Sequence, residues 1–223
     1  MHDLMEIKNV IFDFDGTLAD TASLIVTTMQ AAVARLNLPP VSDEECRATI
    51  GLRLADVPET LYPGKSISGE HFAETYRSLF YELKPGFEER CFPGVHETLS
   101  YLSDAGYGIA IASSRSHRSL DEYCRSLSID GLIGMIVGGD DVTSGKPSPE
   151  PVFAVTDAMG WNPEETLVVG DAAVDILMGK AAGATTCGVT YGNGTLEELQ
   201  EAGADHVIDR IADIKVILHR PAQ

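Results

Sequence analysis

The sequence predicts an α/β protein: a Rossmann-like, doubly wound parallel sheet with an all-helical cap domain inserted after its first strand. Three observations carry this. Short apolar runs alternate with apolar stripes at helical spacing beyond residue 85, and such alternation implies parallel βαβ units with right-handed crossovers. A purely helical block, about 20–84, interrupts the pattern directly after the first apolar run. Asp13, Ser113 and Asp171 each stand at the end of an apolar run, and open α/β sheets take ligands beyond the carboxyl ends of their strands. The expected division is a core of 1–19 and 85–223 with a cap of 20–84.

In chain order, Asn9-Val10-Ile11-Phe12 reads as a buried strand. Leu24, Ile25, Met29, Val33 and Leu36 recur at helical spacing, with Asp20 or Thr21 as N-cap. Pro39-Pro40 ends that helix, and Ser42 with Glu45 forms a capping box for the next. Phe72, Tyr76, Leu79, Phe80 and Leu83 give another helical stripe, closed by Pro85-Gly86. Beyond it the reading is a helix through Val95–Leu102, a strand 107–112, a helix through Leu120–Leu127 and a strand 133–137. Then follow a helix 149–159, a strand 166–169, a helix 173–182, a strand 184–189, a capping box at Thr195 and Glu198, and an edge strand 206–208.

The chain has 223 residues, 44% hydrophobic and 22% charged, an ordinary globular composition. Its 16 Lys and Arg face 34 Asp and Glu, a net charge of -18. A surface that negative repels phosphate backbones, so no nucleic-acid partner is expected, and a small anionic substrate would need local positive charge. The four cysteines form no C-x-x-C pair and read as reduced thiols in a cytoplasmic protein. The six histidines do not cluster at ligand spacing. The first six residues carry acids and no long apolar run, so they do not read as a signal peptide. No apolar stretch reaches a membrane span, and the sequence sets no oligomeric state.

The chemistry concentrates in four places. Asp13-Phe14-Asp15-Gly16-Thr17 puts two carboxylates at a strand end before a turn. Asp-Gly also signals a hairpin, but a helical stripe rather than a second strand follows. An aspartate attacking phosphorus forms a labile acyl phosphate, and a second aspartate can protonate the leaving alkoxide and then deprotonate water. Carboxylate and phosphate repel, so a divalent metal between them is expected. Asp171 and Asp175, four apart at a strand-to-helix junction, read either as helix-terminus acids or as ligands for Mg²⁺, and the first motif favours the ligands. Ser113-Ser114 is either a phosphate-binding turn or a simple Ser turn. Lys146, framed by Gly145 and Pro147, is either a charge-neutralising lysine beside Asp13 or a solvated one.

These motifs, in this order, resemble the haloacid dehalogenase superfamily of phosphotransferases, and the resemblance spans nearly the whole chain. The helical insertion resembles the C1-type cap. Leu18-Ala19-Asp20-Thr21, Phe92-Pro93-Gly94-Val95 and Ala202-Gly203-Ala204-Asp205 are similar to phosphoglycolate-phosphatase-like members. The resemblance implies Asp13 as nucleophile and metal ligand, and Asp15 as general acid/base with its carbonyl on the metal. It implies Ser113, with Ser114 beside it, and Lys146 around the phosphoryl group, Asp171 on Mg²⁺ and Asp175 on its water shell. Two positions depart from it: Ala172 stands where relatives usually carry Ser or Thr, and Arg53 stands where phosphoglycolate phosphatases more often show Gly-x-Pro-Leu.

The expected function is therefore Mg²⁺-dependent hydrolysis of a small anionic phosphate monoester through an aspartyl phosphate. A sugar-phosphate mutase is the nearest alternative, though the segment after Asp20 lacks Glu-x-x-His. A pyrophosphatase or a non-catalytic binding module ranks lower, since all four motif carboxylates are present. Arg53 is expected either to grip a substrate anion from the cap or to pair with a surface acid such as Asp56.

Overall fold

The computed structural model describes residues 6–218. Residues 1–5, within the segment read above as no signal peptide, lie outside the described residues. Its strands are β1 (Asn9–Phe12), β2 (Gly108–Ala112), β3 (Met135–Val137), β4 (Thr166–Gly170), β5 (Thr185–Val189) and β6 (His206–Ile208). They form one sheet in the order β3-β2-β1-β4-β5-β6, with every described pairing parallel. The chain starts in the middle, winds outward to β3, then crosses back to β4. The topological switch point therefore lies between β1 and β4, where doubly wound sheets open a crevice.

The helices are α1 (Ala22–Arg35), α2 (Asp43–Arg47), α3 (Val57–Leu61), α4 (Gly69–Leu83), α5 (Val95–Asp104), α6 (His117–Ser126), α7 (Glu150–Met159), α8 (Ala173–Ala181), α9 (Leu196–Glu201) and α10 (Ile214–Leu218). Side chains alternate across each strand, so the sheet feeds two cores. Val10, Phe12, Ile109, Ile111, Leu167 and Val169 face one, with Leu99 and Leu102 of α5 and Leu120 and Tyr123 of α6. Ile11, Ala110, Ala112 and Val168 face the other, with Val152 and Val155 of α7 and Met178 of α8. Both faces of β1 are covered, which explains why all four of its residues are apolar or buried.

The inserted block, α1 to α4, holds no strand, and α1 packs against α4. Its apolar residues Met29, Phe72 and Phe80 continue the first core through Phe14 and Leu18. The chain enters and leaves it side by side: Asp20 N–H donates to the Arg90 carbonyl at 3.0 Å and Phe92 N–H to the Leu18 carbonyl at 3.0 Å. The Arg90 guanidinium clips Asp20 Oδ2 at 2.6 Å across these linkers. Both expected capping boxes form, at Ser42 with Glu45 and at Thr195 with Glu198. β3 starts later than its apolar pattern, because a 3-10 turn at Asp130–Leu132 takes the preceding residues and Ile133 N–H closes on the Asp130 carbonyl. Among the described residues no helix is long and apolar enough to cross a membrane.

Leu99 is fully buried between α5 and the sheet. Leu99→Ala should therefore cost about 2–5 kcal/mol through lost transfer energy and an unfilled cavity, read as a lower midpoint in urea unfolding. A change below about 0.5 kcal/mol would contradict this packing.

Candidate active site

Strand register builds the site. Phe12 pairs with Val169 on one side and with Ile111 on the other. The residues just past these, Asp13, Asp171 and Ser113, therefore emerge together at the carboxyl edge. Asp13 N–H still belongs to the sheet, donating to the Val169 carbonyl at 2.8 Å. The chain then turns back, with the N–H groups of Leu18 and Ala19 both on the Phe14 carbonyl. Gly16 makes this turn possible: its φ is +92, and a Cβ there would lie 2.1 Å from Asp171 Oδ2. The turn leads into α1 and not into a second strand of the sheet.

Lys146 sits at the centre. Its ammonium is fully buried and donates to Asp13 Oδ1 at 2.5 Å and to Asp175 Oδ1 at 2.6 Å. The loop that carries it is held from α7, where Glu150 accepts the N–H groups of Thr143 (2.7 Å) and Ser144 (2.8 Å). Asp175 also accepts the Ala172 N–H at 3.1 Å. It packs so closely on Gly170 that a Cβ at 170 would lie 2.3 Å from the Asp175 Cβ. Asp171 accepts the backbone (2.6 Å) and side-chain (3.0 Å) N–H groups of Asn193 on Oδ2 and the Thr17 hydroxyl (3.2 Å) on Oδ1.

One atom from each of Asp13, Asp171 and Asp175 can be chosen so that all three lie within 4.8 Å of one another. Three buried carboxylates around one ammonium leave an excess of negative charge. Burial pushes Asp13 well above the usual carboxylate range; Lys146 pulls it down, while Asp175, Asp171 and Asp15 push it up. Burial, then the charge of Asp175, pushes Asp171 up to about 7 against the hydrogen bonds from Asn193. Burial disfavours the charged form of Lys146, yet Asp13 and Asp175 outweigh it and keep the lysine protonated. Hard carboxylate oxygens converging on a site short of positive charge suit a divalent cation, so Asp13, Asp171 and Asp175 fit a metal ion.

Asp15 takes a different environment. Arg115 grips it side-on, Nε to Oδ2 at 3.0 Å and Nη2 to Oδ1 at 2.6 Å, and the Thr21 hydroxyl donates to Oδ1 at 2.6 Å. Thr21 does stand at the N-cap of α1, but its hydroxyl serves Asp15 and makes no capping bond. A cavity of about 490 Å³ lies over this edge between the sheet and the inserted block; Asp13, Asp15, Ser113, Ser114, Arg115 and Arg53 are among its lining residues. Ser113 N–H is taken by the Val137 carbonyl, so its hydroxyl is what it offers. Ser114 donates its hydroxyl to the Gly51 carbonyl of the inserted block at 2.6 Å. Arg53 donates to the Thr143 carbonyl at 2.6 Å and to that of Gly139 at 3.4 Å, lying across Gly145 beside the lysine loop.

The structure thus brings Asp13, Lys146, Asp171 and Asp175 into direct contact or close array, sets Asp15 and Ser113 on the adjoining cavity wall, and puts Ser114 and Arg53 at the seam between core and insert. The sequence reading missed Arg115, Thr21 and Asn193. Gly192-Asn193-Gly194 after the fifth strand was a usable signal for a close backbone approach. Nothing local to Arg115 showed that it would meet a residue 100 positions away.

A family model described as haloacid dehalogenase-like hydrolase matches residues 10–189. The chain is 32% identical to a protein of Dickeya dadantii named probable phosphatase IndB, over 94% of this chain and 93% of that one. It is 29% identical to the phosphoglycolate phosphatase of Haemophilus influenzae, over 96% and 99% of the two chains. Among solved structures, a hydrolase from Pseudomonas syringae superposes with a TM-score of 0.85 at 28% identity, covering 97% of this chain and 100% of that one.

The raised Asp13 and Asp171 carboxyls have a thermodynamic consequence. Between about pH 4, where an ordinary carboxyl ionises in the unfolded chain, and about pH 7, where Asp171 ionises in the folded one, the folded state holds more protons. Metal-free protein should lose stability as pH rises through that window. A divalent cation requires the ionised carboxylates, so it should raise Tm more at pH 8 than at pH 5. Thermal unfolding with chelator and with added Mg²⁺ checks both statements; equal metal shifts at the two pH values would contradict them.

Proposed function

The chain belongs to the haloacid dehalogenase-like hydrolases, and on that premise we propose that it is a Mg²⁺-dependent phosphatase of small metabolite phosphate esters, with Asp13 as covalent nucleophile. The observation that carries this reading is the Asp13 carboxylate itself. It stands at the end of β1, bonded to Lys146 at 2.5 Å, within the Asp171–Asp175 cluster and on the cavity wall.

Asp13 attacks phosphorus and becomes an acyl phosphate, a labile linkage that divides one difficult hydrolysis into two easier steps. Lys146 favours the ionised form of Asp13 against burial and the neighbouring carboxylates, and it offsets the charge of the incoming phosphoryl oxygens. The Ser113 hydroxyl receives one of those oxygens. Asp15 gives a proton to the leaving alkoxide, then takes one from the water that opens the acyl phosphate. Asp13 and Asp171, with the Asp15 carbonyl, would hold Mg²⁺, and Asp175 would order its water shell. When bound, the ion supplies the positive charge that lets a phosphate approach a carboxylate. The segment 20–84 acts as a cap over the cavity and contributes Arg53. The hydrogen-bond partners of Arg53 are neutral carbonyls and only the more distant Glu150 carboxylate shares its field, so it can still pair with a substrate anion. The four cysteines are free, in keeping with the cytoplasm as the place of action.

Phosphate release from a panel of small esters tests the reading. Activity should vanish with EDTA and return with Mg²⁺. Asp13→Asn should abolish both turnover and covalent labelling, while Asp15→Asn should slow turnover on the order of a hundredfold or more. Asp13→Asn with near-normal kcat would defeat the mechanism.

Arg53→Ala should lower kcat/KM about tenfold for an anionic ester through a lost charge-assisted contact. It should spare p-nitrophenyl phosphate, whose leaving group offers no anion to grip. The same loss on both esters would leave Arg53 only its bonds to Thr143 and Gly139.

A further inference from the structure

Arg115 stands out among the cations of this chain. Of 16 Lys and Arg, four arginines line the cavity: Arg53, Arg77, Arg115 and Arg118. Arg118 and Arg77 are exposed and pair with Glu122 and Glu70. The Arg115 side chain is only 9% exposed. Its guanidinium lies among three aromatic rings, 4.7 Å from the Tyr123 centroid, 5.0 Å from Phe80 and 5.9 Å from Phe14. Phe80 comes from the cap helix α4, so both core and cap set the plane of the group.

Arginine has five N–H donors and no acceptor. Nε and one Nη2 hydrogen go to Asp15, and one Nη1 hydrogen goes to the Ser119 hydroxyl at 3.0 Å. Among the described residues this leaves one N–H on each terminal nitrogen, on a side chain that lines the cavity. A buried cation with unused donors is costly unless something accepts from it. Asp15 must touch the leaving oxygen if it is the acid/base, so the ligand of Arg115 belongs to the leaving group, within an atom or two of that oxygen. Arg53 is placed differently, across Gly145 on the lysine side of the cavity.

We propose that Arg115 determines leaving-group specificity: it selects phosphate esters that carry a carboxylate next to the scissile oxygen, binding that carboxylate through the N–H groups that Asp15 and Ser119 leave free. This rests on the phosphatase reading above. The guanidinium is suited to the task because it accommodates two carboxylates at different edges while the rings hold its faces. A neutral leaving group offers the same N–H groups at most a neutral acceptor and forfeits the charge-assisted bond that a carboxylate makes.

The test compares 2-phosphoglycolate with 2-hydroxyethyl phosphate, in which a hydroxymethyl group replaces the carboxylate. Wild-type protein with Mg²⁺ should prefer 2-phosphoglycolate. Arg115→Gln should lower kcat/KM for 2-phosphoglycolate on the order of a hundredfold, mainly through KM. It should lower kcat/KM for 2-hydroxyethyl phosphate much less, so the preference collapses. Arg115→Lys, which keeps a point charge but not the planar fork, should fall between them; it supplies the same contrast if the Gln variant does not fold. Equal losses on both esters would confine Arg115 to holding Asp15 and overturn the proposal. So would a wild-type enzyme that hydrolyses p-nitrophenyl phosphate but shows no preference for 2-phosphoglycolate. Absence of turnover on all three esters would defeat the phosphatase reading, and this inference with it.

Discussion

The constraint on which the site depends is the burial of Lys146 between Asp13 and Asp175. An ammonium and two carboxylates taken out of water cost several kcal/mol each unless their geometry compensates them. Each partner is therefore tied to a rigid element: Asp13 to the end of β1, Asp175 to the first turn of α8, and Lys146 to a loop fastened by Glu150. The third carboxylate, Asp171, enters the same space with hydrogen bonds but no cation of its own. The protein thus keeps a local deficit of positive charge in its interior, and a deficit of that kind marks functional ground rather than structural economy.

The sheet explains how these groups meet. With β1 between β2 and β4, the register places Asp13, one residue past Phe12, beside Asp171 and Ser113, two residues past Val169 and Ile111, along a single edge. The tight packing at Gly16 and Gly170 brings backbone and carboxylate closer than any side chain would allow. Asp171 and Asp175 then lie behind Asp13, away from the cavity lining, while Asp15 and Arg115 face the open side. The two sides of the site therefore differ in chemistry: buried carboxylates around Lys146 on one, and the Asp15–Arg115 pair on the other.

The insert meets the core through backbone carbonyls as much as side chains. Ser114 reaches out to Gly51, and Arg53 reaches back to Thr143 and Gly139. These bonds join the two sides of the cavity lining, so any movement of the insert against the sheet must exchange them for other partners. Phe80 on the Arg115 guanidinium adds an apolar contact to the same seam. Asp15, the Arg115 that holds it and the inserted block are therefore mechanically linked.

Much of this was legible in the amino-acid order. The alternation of apolar runs and helical stripes determined a doubly wound sheet, because period 2 and period 3.6 are local properties of the chain. Asp13, Asp171 and Ser113 could be placed at one edge because parallel strands all end on the same side, whereas the choice of a place for Lys146 beside Asp13, over a solvated one, came only from the family resemblance. The capping boxes at Ser42 and Thr195 could be read because their partners lie three residues away. What the sequence did not reveal are pairings with no local signature. Arg115 finds Asp15 across 100 residues, Asn193 finds Asp171 across 22, and the Thr21 hydroxyl leaves its helix to bond Asp15. Such contacts depend on the angle between the insert and the sheet and on which side chains fill the space between them. Periodicity determines which face of an element is buried; only the packed tertiary structure decides which polar groups end up opposite one another there.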